Sequence, residues 1–139
     1  MRRALWLWLF TAHCGDSLPA SVSALVRIDG LLKDEVAALD LYAMGPERDD
    51  EVLLTCPSLL RGDMAPLDDR VDLLAQTHVV FSEPEGRSVV IENVATGIDR
   101  LVYVEARDAG DVVLGHGCAE GIEVKAGATV EVTVDVFRK

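Results

Sequence analysis

Three cysteines, three histidines and two runs of carboxylates carry whatever side-chain chemistry this chain can perform. His116 and Cys118 stand two apart in strand-like sequence, hence on one face, where an imidazole could activate a thiol. Such a pair needs a third group to orient the ring, and none stands at a fixed spacing. His78 lacks a second ligand at metal-binding spacing and reads as a structural or exposed strand histidine. Ser17, Ser58 and Ser82 lack the Gly-x-Ser-x-Gly surround of a nucleophile elbow. Glu47, Asp49, Asp50 and Glu51 form one acidic run, and Asp63, Asp68, Asp69 and Asp72 form another. Oxygen-rich loops can hold Ca²⁺, which takes about six to eight oxygen ligands, and the second run is where one would sit. Neither run has the Asp-x-Asp-x-Asp-Gly spacing of a calcium loop, so solvated charge is the plainer reading. Arg61-Gly62-Asp63 matches an integrin-binding tripeptide, a match short enough to arise by chance. No cofactor is implied. With no nucleophile, base and electrostatic stabiliser clustered together, the chain reads as a non-enzyme.

The compartment comes from the first residues. Arg2 and Arg3 precede an apolar run from Ala4 to Ala12, which stops at Cys14-Gly15-Asp16-Ser17. A short positive segment, about nine apolar residues and a polar stretch is the grammar of a bacterial export signal. The run falls well short of the roughly 20 residues needed to span a bilayer. It also has no polar stripe of the kind a helix packed on a soluble core keeps. Residues 1–20 are therefore predicted to be a signal helix and tether. The stretch resembles the signal of bacterial lipoproteins, in which a Cys follows a small residue and an apolar residue lies three before it. That resemblance implies that Cys14 becomes the lipidated first residue, holding the protein to the membrane, with Gly15, Asp16 and Ser17 opening the tether. His13 stands where the family has Gly, Ala or Ser, and Thr11 where Leu is usual. The competing reading is cleavage after Leu18-Pro19-Ala20, which releases a soluble exported form.

With Cys14 set aside for lipid, Cys56 and Cys118 are an even pair in an oxidising compartment. A disulfide is then the natural reading, and two buried thiols the alternative. Closing a loop of about 60 residues stabilises by roughly 4 kcal/mol in the chain-entropy model.

The elements that must position these groups are strands. The 139 residues suit one domain, and without the leader about 120 remain, enough for a single core. Trp6, Trp8 and Phe10 lie in the leader, so the core is built from Val, Leu, Ile and Ala. A net charge of −11 repels phosphate backbones and excludes nucleic acid as a partner. Val22, Ala24, Val26 and Ile28 alternate with Ser23, Leu25, Arg27 and Asp29, the pattern of a half-buried strand. A second strand is predicted over Leu39–Met44, ended by Gly45-Pro46. A third covers Val52–Cys56, closed by Pro57. Residues 61–74 read as a long loop. Strand signals resume at His78–Phe81, Ser88–Glu92 and Arg100–Asp108, then a hairpin at Asp108-Ala-Gly110 returns through Asp111–Cys118. Ile122–Val124 and Ala128–Phe137 follow around Lys125-Ala-Gly127. About eight or nine short strands with turn signals between them describe an all-β, antiparallel β-sandwich over residues 21–139.

A resemblance covers roughly Ile91 to Val136. Val94-Ala-Thr-Gly97, the run Leu101–Asp108, Gly115-His-Gly-Cys118 and Val124-Lys-Ala-Gly127 before alternating valines are similar to immunoglobulin-like or transthyretin-like domains of bacterial surface lipoproteins. It implies a fold and brings no activity with it. The chain is thus expected to be an exported, lipid-anchored sandwich of the cell envelope, in the periplasm or on the outer surface. There it would act as a binding or structural module toward an envelope protein or glycan. A Ca²⁺-dependent adhesion module and a small envelope enzyme using the 61–74 loop are the rival expectations.

Overall fold

The computed structural model describes residues 18–80 and 87–139. The predicted signal helix and Cys14 lie outside the described residues, as do Phe81 and Ser82. Seven strands and one short helix follow in order: β1 (Ser21–Ile28), β2 (Ala38–Arg48), α1 (Cys56–Leu60), β3 (Val71–Val80), β4 (Arg87–Ile91), β5 (Gly97–Arg107), β6 (Val113–Val124) and β7 (Thr129–Arg138). They form one sheet in the order β3-β2-β5-β6-β7-β1-β4, whose ends β3 and β4 touch and nearly close it into a barrel. Among the described residues no helix is long and apolar enough to cross a membrane.

The fold is mostly β as expected, but in place of an antiparallel sandwich of eight or nine strands the described residues form one mixed sheet of seven. β1 and β7 run parallel over their whole length, from Ser21↔Thr129 to Ile28↔Val136. Period-two alternation fixes which face of a strand is buried and leaves its direction open, so the valines of β1 and β7 read alike either way. The single sheet folds over itself at one corner. There β6 meets β7 through Gly115↔Arg138 and Gly-flanked His116↔Phe137 alone. A Cβ on Gly117 would lie 2.1 Å from the Asp135 carbonyl oxygen, and one on Gly115 would lie 2.5 Å from that of Phe137. Only glycine lets β7 cross β6 this closely.

Inside lie Val22, Ala24 and Val26 of β1, Leu39, Leu41 and Ala43 of β2, Val102, Val104 and Ala106 of β5, and Val134 and Val136 of β7. A second apolar cluster covers the opposite face of β2 and β5. It comprises Tyr42, Met44, Leu54, Cys56, Leu59, Met64, Leu101 and Tyr103. Those two strands are therefore buried on both faces.

Four expected assignments change. β2 runs through Gly45-Pro46 to Arg48, with irregular pairing to β3 after Ala43. A bulge absorbs the proline whose missing N–H was read as a stop. Val52–Cys56 is not a strand. Thr55 caps α1, its hydroxyl accepting from the Ser58 amide at 3.3 Å, while Ser58 returns a bond to the cap amide. Pro57 thus opens a helix instead of closing a strand. The 61–74 loop ends at Arg70, and Ile122–Val124 is the end of β6 rather than a separate strand.

Candidate functional site

The covered face of β2 and β5 gathers polar chemistry that spacing along the chain does not show. Strand register sets His78 opposite Asp40, Asp40 opposite Glu105, and Glu105 opposite His116, one row across four strands. In the next row Tyr42 faces Tyr103, and Tyr103 faces Cys118. On the other side Arg107 faces Ala38. Asp40, Glu105 and His116 are all less than a tenth exposed.

These groups satisfy one another. The two carboxylate oxygens of Asp40 meet His78 Nδ1 at 2.6 Å and Arg107 Nε at 2.7 Å. Glu105 Oε1 accepts from Arg107 Nη2 at 3.3 Å and from the Tyr42 hydroxyl at 3.2 Å. Arg107 Nη1 also donates to the Asp111 carbonyl at 3.1 Å. Tyr103 and His116 Nδ1 share a hydrogen bond of 2.9 Å, with the rings edge-on at 5.9 Å. The rings of Tyr42 and Tyr103 stand 6.3 Å apart. Buried charge is tolerated here because each carboxylate has a cationic or hydroxyl partner.

Burial and then the Glu105 and Asp40 carboxylates push the Tyr42 phenol up to about 12. Burial followed by Glu105 also raises Tyr103. His116 is held below its ordinary value by burial first, then by Lys139, with Glu105 opposing. For Arg107 burial works against the charge, but Glu105, Asp40 and Asp111 together outweigh it and its guanidinium is raised. Of the row, His78 presents the most exposed side chain, at 56 %.

A lid of loop and helix closes over the tyrosines. Cys56 at the start of α1 is bonded to Cys118 on β6, with Cα atoms 5.6 Å apart. Glu120 Oε2 accepts the Cys56 amide at 2.9 Å, satisfying a first-turn donor of the helix. The disulfide and this hydrogen bond both join α1 to β6. The His116–Cys118 dyad does not form: both residues face the same way, but Cys118 is spent on the disulfide and His116 on Tyr103.

The acidic runs meet, but arginines take them. Asp50 from the first run pairs with Arg48 and with Arg70 at 3.5 Å, and Arg70 grips Asp68 of the second run at 3.0 Å. Asp68 is held down to about 2, chiefly by its hydrogen bonds to Arg70. Asp63 is bound by Arg61, closing the Arg-Gly-Asp turn on itself. Asp69 and Asp72 are exposed. Among the described residues no three His, Cys, Asp or Glu side chains converge to hold a metal ion.

The residues of this face that the sequence hid are Asp40, Tyr42, Tyr103, Glu105 and Arg107. Their one signal was polar side chains alternating with apolar ones, which reads equally well as a solvated face. No family model matches the chain, and no curated protein does. Two solved structures share a weak, mostly-β likeness. The type VI secretion system lipoprotein TssJ1 from Pseudomonas aeruginosa is 12% identical, with a TM-score of 0.35, covering 87% of this chain and 97% of that one. A pilus-presented adhesin (Cpa) is 8% identical, with a TM-score of 0.33, covering 86% of this chain. The chain spans only 27% of that adhesin's length.

Proposed function

We propose that this is an exported, lipid-anchored β domain of the bacterial cell envelope, similar to the immunoglobulin-like or transthyretin-like domains of surface lipoproteins, and a binding or structural module rather than an enzyme. The observation that carries the reading is the Cys56–Cys118 bond, because structural disulfides persist in oxidising compartments and are rare in the cytosol. The strongly acidic composition supports an exposed, soluble surface with no affinity for nucleic acid. The non-enzyme reading is supported by the mutual hydrogen bonds of Asp40, Tyr42, Glu105 and Arg107, and by the loss of the candidate thiol to the disulfide.

Processing at Cys14 is favoured over cleavage after Ala20 by the way Ala20 is built into the domain. Its side chain is 3% exposed and its carbonyl accepts the Val94 amide at 3.0 Å. Cleavage at that bond would cost both contacts. Mass spectrometry of the mature N-terminus from a membrane fraction tests this reading. Diacylglyceryl-Cys14 is expected. A free Ser21 would select the soluble exported form, and an intact Met1 would overturn export.

A further inference from the structure

Away from the polar row, the seam between β6 and β7 is left open. The two strands are consecutive and joined by the turn at 125–128, yet their pairing stops at His116↔Phe137. Between that pair and the turn lies an open cleft of about 760 Å³, lined by β6 residues 119–123, Lys125, Ala128 and β7 residues 129–133. Along this stretch β6 is laddered only to β5, and β7 only to β1. Among the described residues, each therefore turns an edge without a strand partner toward the other. Such edges are templates for a further strand.

The parity of β7 shows which groups face the cleft. The carbonyls of Ala128 and Val136 accept from Ser21 and Asp29, at the two ends of the β1 ladder. Even-numbered residues therefore address β1, and the backbones of Thr129, Glu131 and Thr133 address the cleft. The close approach of the Asp135 and Phe137 carbonyls to Gly117 and Gly115 follows the same parity. The floor also lacks cover. Val134 and Val136 are 0% and 1% exposed, while Val130 and Val132 on the same face of β7 are only partly buried. Three carboxylates, Glu120, Glu123 and Glu131, rim the opening against Lys125 alone, on a chain of net charge −11.

We propose that this cleft takes an extended, cationic peptide segment of a partner protein as an inserted strand. Its backbone would pair with Thr129, Glu131 and Thr133. Alternate apolar side chains would cover Val130 and Val132, and its lysines or arginines would meet the glutamate rim. About six residues at roughly 3.3 Å each fill the gap. The inference rests on the binding-module reading and supplies its ligand class, while export and anchoring are decided separately by the N-terminal mass.

The test uses the full chain and a synthetic ten-residue peptide of alternating lysine and valine, read by calorimetry and by hydrogen exchange at single amides. Binding is expected to slow exchange at Thr129, Glu131 and Thr133. It should weaken about tenfold or more in the folded Glu123→Lys/Glu131→Lys protein. The same peptide N-methylated at alternate residues keeps its charge but loses the donors along one edge, and it should not bind. Equal binding of the methylated peptide would reduce the effect to surface attraction and overturn insertion. So would unchanged exchange at the three amides. Protection that grows with protein concentration in the absence of peptide would assign the cleft to a second copy of the chain and overturn the peptide reading.

Discussion

β2 and β5 are buried on both faces, and the two faces are held in different ways. The inner face is aliphatic: Leu39, Leu41, Val102 and Val104 are each 0% exposed and need only to fill space. The outer face holds two tyrosines, two carboxylates, an arginine and two histidines, the tyrosines under a lid fixed by one covalent bond. Burial of apolar surface is indifferent to pH and to redox state. Burial of ionisable groups depends on each partner keeping its charge and its place. The same two strands thus carry one robust face and one conditional face.

The largest blow should fall on the conditional face. Replacing both cysteines (Cys56→Ala/Cys118→Ala) is expected to cost about 4 kcal/mol in urea unfolding, the loop-closure value for the 62-residue separation. A loss well under half of that would mean that the lid detaches while the barrel stays folded. On the robust face Leu41→Ala should cost about 3 kcal/mol, and by the same amount at every pH where the protein folds. Asp40→Asn removes the charge that both Arg107 and His78 meet, leaving Arg107 to Glu105 and Asp111, and a loss of about 2 kcal/mol is expected. An Asp40→Asn loss that vanished would show the row to be decoration.

Tyr42 and Tyr103 are the chain's two tyrosines, so absorbance at 295 nm reads the outer face directly. A phenol raised from 10.0 to about 12 contributes stability that is fully present below pH 10 and lost as pH rises toward 12. The folded protein should show no phenolate step near pH 10. A full step there, without unfolding, would mean that the lid is open in solution. His116 works at the other end of the scale: with its value lowered from 6.5, stability falls as pH drops below 6.5. Leu41→Ala should keep that slope, and His116→Gln should flatten it. The smallest effect is expected at the exposed Asp68–Arg70 pair, where Asp68→Asn should leave the melting temperature almost unchanged. Millimolar Ca²⁺ should not move it either. A rise with Ca²⁺ that is lost in Asp68→Asn/Asp69→Asn would restore a metal to the acidic loop.

The inner face was legible in the sequence and the outer one was not, for physical reasons. Valines at alternate positions of β7 can bury only one face, so Val130 to Val136 announced themselves. The cysteine pair was legible because export leaves an even count with few other uses. The signals for α1 were also present, in Thr55, Pro57 and Ser58, but the apolar run Val52–Leu54 before them read as a strand. The polar row could not be read at all. His78, Asp40, Glu105 and His116 are far apart in sequence, and only the registers of three strand pairs bring them into line. Arg70 likewise joins Asp50 to Asp68, acids of two separate runs that meet only when β2 and β3 are set side by side.

The parallel ladder between β1 and β7 also sets a timetable. Arg27 and Asp135, paired through two hydrogen bonds, are 108 residues apart, so the first strand waits for the last to be made. Without β7, β1 has only the short β4 to lean on. Contacts this distant slow folding, because the chain must close a long loop before they form. Closure of the sheet therefore hangs on the two strands that lie farthest apart in sequence.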